Sequence, residues 1–336
     1  MLPSVSIIIC TRNRAQHLEQ TLASICTTRI PPLADLELIV VDNGSTDDTS
    51  AVVQGVQADF PVRLVTESTP GLTHARNAAL AAARHDILLW VDDDVRVPND
   101  WISPMIAPLA AGDASIVAGG VTIAPHLRRD WMEPWHCSLL AATAHRLDPT
   151  HPQDAVGANM AFLRSVTTDV PSFDRNLGAG RLGSCEESHF FERLIRAGHR
   201  IAPAFHVQVE HHFDAARLRH ASFVSALEGL GRSQAYLQYH WRHTSVPFEE
   251  SSFRTRLRLW ALTVKYKLRR LLRGSPPDEG MPTWESYYVR HRAYLRQSLI
   301  ERTRPRRYSK YGDRPLNDDS TPDASSPPSY AEQLPA

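Results

Sequence analysis

Four short apolar runs punctuate the first part of the chain: Val5–Cys10, Leu36–Val41, Val62–Thr66 and Ile87–Val91. Each has the length of a buried strand and stops at polar or turn residues. Helix-spaced segments separate them. Ala15 to Thr28 repeats apolar side chains at Leu18, Leu22 and Ile25, and Leu72 to Arg84 is rich in alanine. Between Asn43-Gly44 and Gln57 a third helix is expected, with Ser45, Thr46, Asp47 and Asp48 supplying its cap and first-turn acids. Strands alternating with helices imply βαβ units and a mostly parallel sheet. The polar loops after three strands (Thr11-Arg12-Asn13, Asp42-Asn43 and Asp92-Asp93-Asp94) would then gather on one edge, where open α/β sheets bind ligands.

The fourth run constrains the chemistry most. Its five apolar residues end in three consecutive carboxylates, Asp92, Asp93 and Asp94. Burying such charges is costly unless they are paired or metal-bound. On an extended chain, side chains two apart share a face, which would put Asp92 and Asp94 together. One could then reach a hard divalent cation (Mg²⁺ or Mn²⁺) while the other holds substrate, since Mg²⁺ takes one or two carboxylates plus substrate phosphates. The plainer alternative is an acidic turn leading into Val95–Pro98.

Further along, Asp100 to Ala111 fits a short helix and Ile116 to Ile123 a strand. His126 to Asp154 is irregular, and its Trp131–Trp135 segment suits either an acceptor-binding flap or a packed loop. Ala155 to Phe162 reads as a strand whose small residues suggest close backbone approach. A glycine-rich loop, Phe173 to Gly183, leads into Glu186, Glu187 and a helix closed by Gly198. Ile201 to Val209 is a last strand, followed by Glu210, His211 and His212. Beyond Asp214 the composition turns helical and basic. Phe253 to Arg273 holds eight Lys/Arg and no acid, and Arg290 to Lys310 holds eight against Glu301 alone. The first of these is a basic amphipathic helix. It suits either an anionic membrane surface or packing on the main domain with a solvated basic face. Asp313 to Ala336 has the Pro/Ser/Asp-rich composition of a disordered tail. The expected division is therefore 1–215, 216–312 and 313–336.

Bulk composition excludes some classes. Hydrophobic residues make up 42% and charged residues 22% of the 336, which fits a soluble globular protein. Lys+Arg and Asp+Glu balance at 37 each, so net charge points to no partner, and no nucleic-acid motif appears. Cys10, Cys26, Cys137 and Cys185 form no CxxC pair, which suggests neither zinc nor a disulfide framework and makes a reducing cytosol the expected setting. No signal-peptide pattern precedes the first strand, and no apolar run is long enough to span a bilayer.

Together these segments resemble the inverting nucleotide-sugar glycosyltransferases of family 2, with the GT-A fold. The matching pieces are Val5–Arg14, Leu38–Asp47, Gly71–Asn77, Leu89–Asp94, Gly157–Phe162 and the Glu186-Glu187 pair opening a helix. The resemblance implies roles residue by residue. Thr11 and Arg14 belong to the nucleotide-base pocket, and Asp42 accepts a hydrogen bond from the base. Arg76 meets the diphosphate, Asp92 the ribose and Asp94 the metal, while Asp93 serves either group or caps the turn. Glu186-Glu187 stands where the family has Glu-Asp, so Glu187 is the implied general base, with Glu186 as its alternative. A bland reading makes both dipole-favoured helix-capping acids. His211 or His212 stands where some relatives place a further metal or phosphate ligand. The Gln-X-X-Arg-Trp pattern of processive synthases is missing, which implies single-sugar transfer. The acceptor would be a hydroxyl on a carbohydrate, a lipid-linked sugar or a protein glycan. Two other readings stand beside this one: a non-catalytic nucleotide-sugar or glycan-binding protein at a membrane, and a nucleotidyltransferase. The absence of glycine from Thr11–Arg14 argues against the latter.

Overall fold

The computed structural model describes residues 2–145, 147, 148, 150, 152–244 and 251–312. The expected tail at 313–336 and three positions of the irregular insertion (Arg146, Pro149 and His151) lie outside the described residues. Eight strands form one sheet: β1 (Ser4–Thr11), β2 (Asp35–Asp42), β3 (Val62–Thr66), β4 (Ile87–Val91), β5 (Val95–Arg96), β6 (Ile116–Ile123), β7 (Asn159–Leu163) and β8 (Ile201–His211). Their spatial order is β3-β2-β1-β4-β7-β6-β8-β5. β3, β2, β1 and β4 run parallel, as the alternation predicts. β7 is inserted antiparallel between β4 and β6, and β5 pairs antiparallel with β8. The sheet is therefore mixed beyond its N-terminal half.

Strand alternation divides the core between the two faces. Ile7, Ile9, Leu38, Val40, Leu89 and Val91 pack on one face against α1 (Ala15–Cys26) and α4 (Ile102–Ala110). Ile8, Ile39, Val41, Leu88 and Trp90 pack on the other, against α3 (Leu72–Ala82) and α6 (Glu186–Arg196). α2 (Thr49–Gln54) is shorter than expected and has no acid in its first turn. Asp47 instead accepts from the Ala15 amide at the start of α1 with one oxygen (3.0 Å), and from Thr49 with the other.

The C-terminal helices are α7 (His220–His240), α8 (Ser252–Arg273) and α9 (Thr283–Glu301), with α9 packed on α7 and α8 on α9. Trp131 precedes α5 (Pro134–Leu139) and Trp135 lies in its first turn, and both rings sit edge-on to Phe223 of α7. The Trp135 indole also donates to Thr283 at the start of α9 (2.9 Å). Of the two readings of this segment, the packed loop fits the contacts.

Candidate active site

The ends of β1, β2, β4 and β8 bring most of the expected residues to one edge. After Val91 the chain leaves the strand and turns at Asp93 and Asp94, so the triad is not part of β4. Asp93 and Asp94 share a partner. Arg14 places Nη1 2.9 Å from Asp93 Oδ1 and 2.7 Å from Asp94 Oδ2. The Thr11 hydroxyl at the end of β1 donates to the other Asp93 oxygen (2.7 Å). Thr11 and Arg14 thus hold Asp93 and Asp94, and Asp93 is fixed through both its oxygens.

Asp94 is 1% exposed. Its Oδ1 lies 3.2 Å from His211 Nε2, and its backbone carbonyl accepts from the His212 amide (2.7 Å). His211, at the end of β8, sets Nδ1 2.9 Å from the Leu140 carbonyl. A carbonyl only accepts, so Nδ1 carries a hydrogen, and Nε2 is the ring nitrogen that faces Asp94. Metal-binding histidines have this arrangement, with the far ring nitrogen donating to a backbone carbonyl. Among the described residues no third His, Cys, Asp or Glu completes a metal cluster. Two protein ligands nevertheless suit Mg²⁺ or Mn²⁺ when substrate phosphates complete the shell. Burial would raise the Asp94 carboxyl, but His211, Arg14 and Arg217 outweigh it and hold the group well below the usual carboxylate range.

His212 does not join this site. Its Nε2 meets Glu210 at 3.1 Å and its ring lies beside that of His126. Successive side chains at a strand end point to opposite faces, so only one of the two histidines can face Asp94. Arg217, which the sequence did not single out, does reach the site. It lies 4.0 Å from Asp94 Oδ2 and donates to His211 Nε2 at 3.4 Å.

The second cluster centres on Arg76 of α3. Its guanidinium is 3% exposed and lies 5.5 Å from the Phe173 ring centroid. Nη2 meets Glu187 Oε1 at 2.6 Å, and Nη1 meets Glu186 Oε1 at 3.3 Å. The Gly157 amide donates to the same Glu187 oxygen (2.9 Å). A Cβ at Gly157 would lie 2.1 Å from that oxygen and 2.2 Å from Arg76 Nη2, so a side chain there would displace the ion pair. The close backbone approach expected before β7 is made at Gly157. Arg76 thus binds the acidic pair directly, where the sequence reading aimed it at a diphosphate.

Asp92 links the clusters and has no ion pair or side-chain hydrogen bond among the described residues. Burial and the nearby Asp94 push its carboxyl up to about 6, while Arg76 opposes them. Cys10 borders the same space. Burial pushes its thiol up to about 12 against the pull of Arg76, which leaves it neutral. Asp42 stands at the end of β2, where Oδ1 accepts from the Ser45 amide (2.8 Å) and Oδ2 from the Ser50 hydroxyl (3.2 Å). Its carboxylate is therefore already oriented by its own loop.

Residues 6–170 match the family described as Glycosyl transferase family 2. A succinoglycan biosynthesis protein of Rhizobium meliloti, ExoM, is 30% identical over 119 residues, 35% of this chain and 38% of its own length. A glucosyl-dolichyl phosphate glucuronosyltransferase of Haloferax volcanii is 24% identical over 186 residues, 52% of this chain and 57% of its own. The aligned segments thus span less than two thirds of either relative. Among solved structures, the mannosyltransferase PcManGT of Pyrobaculum calidifontis, in complex with GDP-Man and Mn²⁺, superposes with a TM-score of 0.57 at 21% identity. That superposition covers 90% of this chain and 88% of the other. Through residues 6–170 the chain belongs to glycosyl transferase family 2, on the GT-A fold that its structural neighbours share.

Proposed function

We propose that this protein is a metal-dependent, inverting, non-processive glycosyltransferase. It moves one sugar from a nucleoside-diphosphate donor to a hydroxyl of a glycan, a lipid-linked sugar or a glycoprotein. The observation that carries the reading is one sheet edge with an Asp94–His211 pair at one end, the Glu186–Glu187 pair at the other and the unpaired Asp92 between them. Residues 1–215 are proposed as the catalytic domain and 216–312 as a helical addition. The four free cysteines agree with a reducing compartment.

Each end has a task in this reaction. Asp94 and His211 would hold a divalent cation, which when bound neutralises charge on a departing diphosphate. Arg14 competes with it for Asp94, so donor binding exchanges one positive partner of Asp94 for another. Asp92 accepts from the ribose, and Asp42 accepts an N–H from the base. Glu187 is the base: its carboxylate takes the proton of the acceptor hydroxyl as that oxygen bonds to the anomeric carbon and the bond to the diphosphate oxygen breaks. Arg76 and the Gly157 amide fix the Glu187 oxygen they share, so Arg76 is a positioning residue. Glu186 shares that arginine and is the alternative base.

A thermal-shift panel of nucleotide sugars with Mn²⁺ or EDTA tests the reading, because a ligand bound only to the native state stabilises it by mass action. One donor class is expected to raise the melting temperature with Mn²⁺ and not with EDTA. No shift with any donor would reject the donor site, and equal shifts in EDTA would reject the metal.

A further inference from the structure

Helix α8 has two sides of opposite fate. Its inner side lies on α9. Thr255 is fully buried there, Tyr266 donates to Glu285 (2.8 Å), and Arg270 pairs with the same buried carboxylate (3.3 Å). Its outer side carries Phe253, Leu257, Trp260, Leu268 and Leu271, exposed by 73%, 52%, 64%, 55% and 80%. With Val264 these recur three or four residues apart, so they form a single stripe along the 22-residue helix. Leu272 widens it and is 85% exposed. Six of the eleven exposed large hydrophobic side chains of the described residues therefore sit on this one helix. Scattered exposed apolar residues need no explanation, but a contiguous patch does.

Charge frames the stripe. At 3.6 residues per turn, Arg254, Arg258 and Lys265 fall along one edge and Arg256 and Lys267 along the other. All five are exposed, and the helix contains no acid. Such side chains lay their methylene stems beside apolar surface and carry the charge outward from it.

We propose that α8 is an interfacial helix that docks the protein on an anionic lipid bilayer. Its stripe enters the boundary of the acyl chains, and the two basic edges meet the headgroup phosphates. A second copy of this chain fits poorly, because stacking two such stripes sets basic edge against basic edge. A nucleic acid would satisfy the edges and leave the apolar centre unburied. The docking surface is independent of the proposed sugar transfer, since none of the residues assigned to the active site lies on α8.

Flotation of the full chain with phosphatidylcholine vesicles, with and without phosphatidylserine, tests this. The protein is expected to float with the anionic vesicles only, and less as salt rises. Lys265→Glu and Lys267→Glu should each weaken binding about fivefold or more, since each basic residue near the surface contributes about that factor. The triple variant Leu257→Glu, Trp260→Glu, Leu271→Glu should stay in the dense fraction with an unchanged melting temperature. If that variant is unstable, Leu271→Glu alone decides, because that side chain is 80% exposed. Absence of flotation, equal flotation on neutral vesicles, or full binding by the stripe variants overturns the proposal. A stripe-dependent dimer in lipid-free sedimentation velocity would assign the face to a second copy instead, and also overturns it.

Discussion

The two ends of the site use one motif, an arginine shared by two carboxylates, in different surroundings. Arg14 spans Asp93 and Asp94 from the loop before α1, and its side chain is 36% exposed. Arg76 spans Glu186 and Glu187 from within α3, and its side chain is 3% exposed. A half-exposed guanidinium exchanges its partners for water at little cost. A buried one cannot leave without stranding the carboxylates it neutralises. In the proposed reaction the difference would separate an exchangeable counter-ion at the donor end from a fixed scaffold at the acceptor end. Asp93 and Asp94 also have other partners, Thr11 for one and His211 for the other, so neither carboxylate depends on Arg14 alone.

The largest expected effect bears on which acid the scaffold serves. Glu187→Gln keeps the shape and the Gly157 contact but removes the proton acceptor, and general-base catalysis contributes about 10² to 10⁴ in rate. Transfer should fall by that factor while the donor still raises the melting temperature. If Glu186→Gln shows this pattern and Glu187→Gln does not, the base is Glu186 and the two acids exchange roles.

Next in size is a paired measurement of stability by urea denaturation. Arg76→Met leaves two acidic side chains without their shared cation and should cost about 3–5 kcal/mol. Arg14→Met removes charge-assisted hydrogen bonds at a half-exposed position and should cost about 1–2 kcal/mol. Equal losses would break the distinction between exchangeable and fixed arginines.

Much of this architecture is legible in the sequence. Val62–Thr66, Ile87–Val91 and Ile116–Ile123 are strands with the bounds their apolar runs predict. Length and burial are local properties there. β7 begins at Asn159, later than expected, and Gly157 just before it owes its lack of a side chain to Glu187, a residue 30 positions away. β5 is two residues long, too short to leave any periodicity, yet its Val95 pairs with His211 and brings that ring to Asp94. The candidate residues were readable as types at strand ends, while their partners were not. Nothing local ties Arg76 to Glu187, 111 positions on, or marks Arg217 among the other basic residues. Asp93 shows the same limit: three adjacent carboxylates are alike until a turn directs one of them to Thr11 and Arg14.

The smallest expected effect tests the donor end at its finest point, the choice between two adjacent histidines. His211 is 2% exposed, fixed by the Leu140 carbonyl and turned to Asp94. His212 is partly buried and bonded to Glu210 on the other face. His211→Ala should abolish the Mn²⁺-dependent part of the donor-induced thermal shift, because Asp94 alone then offers the cation a single protein ligand. His212→Ala should leave that shift intact and change stability by no more than about 0.5 kcal/mol, as substitutions away from core and site do. Both variants carry the same substitution one residue apart, so a loss in the second as large as in the first would mean that β8 delivers both rings to the donor. The antiparallel pairing of Val95 with His211, which sets the face each histidine presents, would then be the feature to revise.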